Sequence, residues 1–140
     1  MQPISSTIVF VVCIALAQGA AVQDQVTAIA KKCASEHKMS EEQAKIIFSL
    51  VVPKTPEENC YMECIYIGAG VMKDGKYSVE GAKKLADQRF TGADEKTAAV
   101  KLIETCKSVS AGSEKCGLAK SVRECFVKNG NNISFFPPPK

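Results

Sequence analysis

The stretch NCYMEC at residues 59–64 places two cysteines four apart, and it limits the possible folds more than any other feature. Four residues of helix rotate by about 400° and rise about 6 Å, so Cys60 and Cys64 point nearly the same way. Side by side they bond to each other only awkwardly, and each more naturally reaches a different neighbour. Cys33, Cys106, Cys116 and Cys125 complete a set of six after residue 30. If Cys116 and Cys125 share one helix they lie on opposite faces, about 13.5 Å apart along it, and cannot pair. Six cysteines allow 15 connectivities; three contain Cys60–Cys64, three contain Cys116–Cys125 and one contains both, so about ten remain. Geometry alone does not choose among them.

The seventh cysteine, Cys13, sits in an uncharged N-terminal segment whose apolar stretch IVFVVCIALA has the length of a signal-peptide core. That stretch is shorter than the ~20 apolar residues a membrane span needs. Small residues follow at Ala17, Gly19, Ala20 and Ala21, so a signal peptide over residues 1–20, cleaved near 19–21, is expected. Cleavage removes Cys13 and leaves an even count, which reads as three disulfides in a secreted chain. Residues 21–140 then form one domain with a C-terminal tail over 130–140. Zinc fits poorly, because no CxxC pair exists and the single His37 lies outside ligand spacing, so neither a metal nor a cofactor is expected.

The net charge of +3 is scattered, without the basic run of a nucleic-acid binder. Enzyme readings fail on residues: one histidine and no nucleophile constellation support neither a Ser-His-Asp nor a Cys-His scheme. Gly68-Ala69-Gly70 follows a helix, where a dinucleotide loop would follow a strand.

Beyond the leader the pattern is helical almost throughout. Val22, Val26, Ile29 and Cys33 mark one face of a first helix. Ser40 with Gln43 reads as a capping box opening a second, which runs through Ile46–Val52 to Pro53. Thr55-Pro56-Glu57-Glu58 opens a third, carrying NCYMECIYI to Gly68-Ala69-Gly70. A turn at Lys73–Lys76 leads to Ser78, the cap of a fourth helix. Asp94 starts a fifth, with Ala99, Leu102, Ile103 and Cys106 on its apolar stripe. Ser113-Glu114 opens a sixth, ended by Asn129-Gly130. The fold class is all-α: a compact bundle of about six short helices with three disulfides. The third helix acts as a central post, held by sulfurs one turn apart. A domain this long can bury an adequate core without cross-links, so heavy bracing points to an incompletely packed interior, whose lost contacts the bridges offset.

The spacing Cys33-x26-Cys60-x3-Cys64-x41-Cys106-x9-Cys116-x8-Cys125, behind a signal peptide and among six short helices, closely resembles the insect odorant-binding protein family, as does CIYIGAGVMKDGKYS. The resemblance implies the pairing Cys33–Cys64, Cys60–Cys116 and Cys106–Cys125. It also implies a helical cup around an apolar cavity that holds small volatile or lipid-like molecules. Such a pocket needs hydrophobic walls with few polar groups. Candidates around the third helix are Met62, Ile65, Ile67, Val71 and Met72; from later helices, Leu85, Phe90, Val100, Ile103, Val122 and Phe126. Tyr61 and Tyr77 could each offer a hydroxyl to a ligand oxygen, and Tyr77, just past the Asp74-Gly75 turn, is the preferred of the two. Phe135 and Phe136 are costly to expose, so the tail is expected to dock as a wall or lid. The sequon Asn132-Ile133-Ser134 beside them is read as unused. With one histidine, a histidine-driven pH switch is not expected.

The function read from the sequence is a secreted, extracellular carrier of odorants or pheromones. Its expected partners are a small apolar organic ligand and, further on, a chemosensory receptor, with no nucleic acid and no membrane span. The chain is expected to be a monomer or weak homodimer. The rival readings are a carrier of other lipids, hormones or amines in haemolymph, saliva or reproductive fluid, and a secreted helical module that acts by protein contact.

Overall fold

Thr55 begins the central element. Its hydroxyl accepts from the Glu58 N–H at 3.1 Å, Pro56 takes the first helical position, and Glu57 and Glu58 lie on the positive end of the helix dipole. At the other end Gly70, at φ 86°, reverses the chain in a left-handed conformation that glycine adopts freely. A computed structural model describes residues 18–136 and shows this helix, α3 (Pro56–Ala69), packed against elements on either side. The expected leader lies outside the described residues as far as residue 17, and so do Pro137–Pro139.

The described elements run α1 (Gln18–Glu36), α2 (Glu41–Ala44) continued by a 3-10 turn (Lys45–Phe48), then α3. They continue with β1 (Met72–Lys73), β2 (Lys76–Tyr77), α4 (Val79–Arg89), α5 (Ala93–Thr105) and α6 (Gly117–Asn129). The fold is all-α apart from one small antiparallel ribbon, in which Met72 stands opposite Tyr77. Asp74 and Gly75 turn that ribbon with φ of 54° and 76°, the positive pair that suits an Asp-Gly hairpin. α3 packs on α1 and α6, α4 packs on α5 and α1, and α5 closes against α6. Cys33–Cys64 ties α1 to α3, Cys60–Cys116 ties α3 to the residue before α6, and Cys106–Cys125 ties the end of α5 to α6. Neighbouring cysteines on α3 thus reach in different directions.

Two helix boundaries differ from the sequence reading. The second helix does not run to Val52: it gives way to the 3-10 turn and then to irregular chain. The buried Arg123 of α6 supplies the reason. Its Nε donates to the Val51 carbonyl at 3.0 Å, and its Nη2 donates to the carbonyls of Ile46 (2.6 Å), Ile47 (3.4 Å) and Ser49. A side chain more than 70 positions away thus takes the place of the intrahelical donors. The sixth helix opens at Gly117 rather than at Ser113-Glu114, because Cys116 sits at φ 56°, outside the helical region. Cys116 therefore precedes the helix that holds Cys125, whereas the sequence geometry treated both as helical.

Replacing Arg123 with Met keeps much of the apolar stem and strips the donors from four carbonyls. Chemical denaturation of the oxidised protein is expected to show a loss of about 3 kcal/mol or more. A loss below about 1 kcal/mol would mean that the 46–52 segment is held by something else.

Candidate functional site

The inward face of α3 carries Tyr61, Met62, Ile65 and Tyr66, all with no exposed surface. These positions recur at helical spacing, and they turn away from the Cys60–Cys64 face. Around them gather Val71 just before the ribbon and Met72 within it, Leu85 and Phe90 from α4 and its end, Ile103 from α5, and Val122 and Phe126 from α6. Phe135 and Phe136 of the tail complete the same buried cluster, and Tyr77 packs at its margin.

Two expected wall residues lie elsewhere. Ile67 is 55% exposed and Val100 36% exposed, so neither faces this interior. Ile67 follows Cys60 and Cys64 at helical spacing and shares their outward face. There it lines an open groove of about 640 Å³ together with Ile29, Cys33, Gly68 and Cys116. Val100 sits one position off the stripe formed by Ala99, Leu102, Ile103 and Cys106.

The centre is an aromatic stack. The Phe136 ring lies over Tyr66 with centroids 5.8 Å apart and planes 30° apart, and Phe126 meets Tyr66 edge-on at 6.4 Å. Phe135 fits between Phe126 (4.9 Å) and Phe90 (5.8 Å), and Tyr77 stands edge-on to Phe126 at 6.1 Å. The tail therefore goes further than a lid: its two rings occupy the middle of the apolar volume. Ser134 Oγ donates to the Phe136 carbonyl at 3.1 Å and closes the turn that directs the rings inward. Asn132 of the sequon remains exposed beside the docked rings. A cleft of about 430 Å³, bounded by Arg89, Phe90, Asp94, Glu95 and Asn132–Ser134, runs beside the tail. A second opening of about 330 Å³ between α1 and α2 reaches the Tyr61 ring through Ala30, Ala34, Met39, Ala44 and Phe48.

The polar groups of this interior are few. Tyr61 donates its hydroxyl proton to the Ala44 carbonyl at 2.7 Å, and Tyr77 donates to Ile103 at 3.0 Å. Both of the tyrosines singled out from sequence thus have structural acceptors. Tyr66, which the sequence reading passed over, has none. Its position four residues after Met62, on the buried face, was the signal that could have found it. Burial pushes the hydroxyls of Tyr61 and Tyr66 up to about 12, for Tyr66 against the opposing pull of the Arg123 charge. Burial also raises Tyr77, helped by the nearby Tyr66 and Glu104. Elsewhere Glu36, His37 and Cys64 bring possible ligand atoms within 4.8 Å of one another. The Cys64 sulfur is bonded to Cys33, however, and so supplies no thiolate.

The described residues thus form a helical frame braced by three disulfides and closed on an apolar aromatic interior. The PBP/GOBP family model matches residues 16–129, and the chain belongs to that family. It is 30% identical over 105 residues to general odorant-binding protein 72 of Anopheles gambiae, covering 74% of this chain and 85% of that one. It is 29% identical over 111 residues to general odorant-binding protein 56a of Drosophila melanogaster, covering 79% and 72%. Among solved structures, odorant binding protein 5 of Apis mellifera aligns with TM-score 0.72 at 18% identity, over 85% of this chain and 97% of that one. The odorant-binding protein dmelOBP28a of Drosophila melanogaster aligns with TM-score 0.66 at 19% identity, over 80% and 93%. Blowfly (Phormia regina) OBP56a aligns with TM-score 0.60 at 22% identity, over 79% and 92%. The family is one of small-ligand-binding carriers.

The tyrosine pKa values fix an alkaline limit. A phenol whose folded pKa lies above its ordinary value of 10 favours the fold fully below pH 10, and that contribution is lost as pH rises through about 12. A rapid pH-jump titration read at the phenolate absorbance is expected to show no ionisation near pH 10 while the fold lasts, then ionisation and unfolding together nearer 12. Free titration of all three tyrosines at pH 10 in a folded protein would contradict the buried placement.

Proposed function

We propose that the protein is a secreted carrier which takes a small, mainly apolar molecule into the aromatic interior and moves it through an aqueous extracellular fluid. The observation that carries this reading is the placement of Phe135 and Phe136. A C-terminal tail tied to no disulfide fills the centre of a frame that the disulfides hold separately. A ligand can take the place of those rings without any helix having to unfold. Apolar burial provides the affinity, and one polar contact gives orientation. The wall is formed by Met62, Ile65, Val71, Met72, Tyr77, Leu85, Phe90, Ile103, Val122 and Phe126. Met62 and Met72 adapt readily to ligands of different shape. The six paired cysteines support passage through an oxidising compartment, and the uncharged N-terminal stretch supports a cleaved leader.

Olfactory cargo, odorants or pheromones, is the primary reading, supported by the odorant-binding names of the relatives. A second reading, carriage of other lipids, is favoured by blowfly OBP56a, described as a fatty acid binding protein of the oral disk.

Phe136→Ala removes the ring that competes with the ligand. The variant is expected to lose roughly 3 kcal/mol of stability and to bind an apolar fluorescent probe about tenfold more tightly, since the probe no longer has to displace a buried phenyl group. Unchanged or weaker binding by the folded variant would place the ligand away from the tail.

A further inference from the structure

The three tyrosines of the chain differ in one respect. Tyr61 and Tyr77 each donate a proton to a backbone carbonyl, whereas Tyr66 is fully buried and its hydroxyl has no hydrogen-bond partner. Buried polar groups are nearly always paired, because an orphan forfeits its hydration without compensation. The Arg123 guanidinium lowers the hydroxyl's pKa by its charge and by a contact with the phenol oxygen, a contact without hydrogen-bond geometry. Arginine can only donate, so the hydroxyl proton is without an acceptor in either case.

We propose that Tyr66 is the polar anchor of the ligand site, donating to a carbonyl oxygen on an otherwise apolar molecule whose body replaces the Phe136 ring. This rests on the carrier reading and adds a ligand class: ketones, aldehydes or esters with about the bulk of a phenyl group. The Phe136 ring, 5.8 Å from that of Tyr66, marks the space such a body would fill. The nearby Arg123 charge favours the negative end of a carbonyl dipole. An alcohol would bring a second proton that needs an acceptor of its own. A pure hydrocarbon would leave Tyr66 orphaned. A site built to hydrogen-bond one group discriminates against analogues that lack it. Burial keeps the phenol protonated up to about 12, so it remains a donor across the physiological range.

The test compares propiophenone with propylbenzene, which differ by a carbonyl in place of a methylene, using calorimetry on the oxidised protein and on Tyr66→Phe. The substitution is expected to weaken propiophenone about fivefold, the size of one ordinary hydrogen bond, and to leave propylbenzene unchanged. Thermal stability should not fall, because the hydroxyl removed was unpaired. In infrared difference spectra the carbonyl stretch of bound propiophenone should lie at lower frequency in the parent than in the variant. Equal effects on both ligands, no loss for the ketone, or an unshifted carbonyl band would overturn the assignment. Failure of the parent protein to take up either molecule would instead remove the carrier reading, and the Tyr66 role with it.

Discussion

Two sulfur–sulfur bonds leaving one helix in different directions are the constraint on which the rest of the structure depends. Cys60 and Cys64 fix α3 to the start of α6 and to α1, and Cys106–Cys125 fixes α5 to α6. Each closed loop limits the unfolded chain by roughly 3–4 kcal/mol on the chain-entropy view. Those contributions do not require a dense interior. The helices can therefore hold their relative positions even when the groups between them are exchanged, which is what a carrier needs and a protein held by core packing alone cannot readily provide.

What fills the frame fits that division of labour. The centre holds a stack of rings set among aliphatic side chains such as Ile65, Ile103 and Val122, and two of those rings belong to the last described residues of the chain. Rings stacked about 5–6 Å apart are attracted by dispersion and quadrupole terms that another aromatic or conjugated molecule can reproduce. Polar anchoring is assigned just as economically. Arg123 meets the carbonyls that a shortened second helix leaves open, Tyr61 and Tyr77 pin the chain at Ala44 and Ile103, and Tyr66, unlike the other two tyrosines, keeps a proton without an acceptor.

Local chemistry made much of this legible in the sequence. Thr55-Pro56-Glu57-Glu58 and Gly70 delimit α3 through capping that involves only neighbours in the chain, and the Ser78 hydroxyl caps α4 in the same way, accepting from Gly81 at 3.0 Å. The misplaced boundaries have distant causes: Arg123 overrides the helical pattern of 46–52, and the positive φ of Cys116 delays α6. Within the candidate site, hydrophobicity was read too generously. Ile67 and Val100 are apolar, but each lies off the buried stripe of its helix, and periodicity strictly applied would have placed both outside. Tyr66 stands on the buried stripe. Its missing acceptor, however, depends on where Arg123 and the tail settle in three dimensions, and no spacing in the chain encodes that.

The central claim, a covalently fixed frame with an exchangeable aromatic centre, is tested most directly by hydrogen exchange on the oxidised protein with and without a saturating apolar ligand. The expected result is that the Ile133 amide, bonded to the Gly130 carbonyl at the base of the tail, loses protection on binding while the amides around Cys60 and Cys64 in α3 stay as slow as before. Unchanged protection of the tail, with faster exchange in α3 instead, would contradict it.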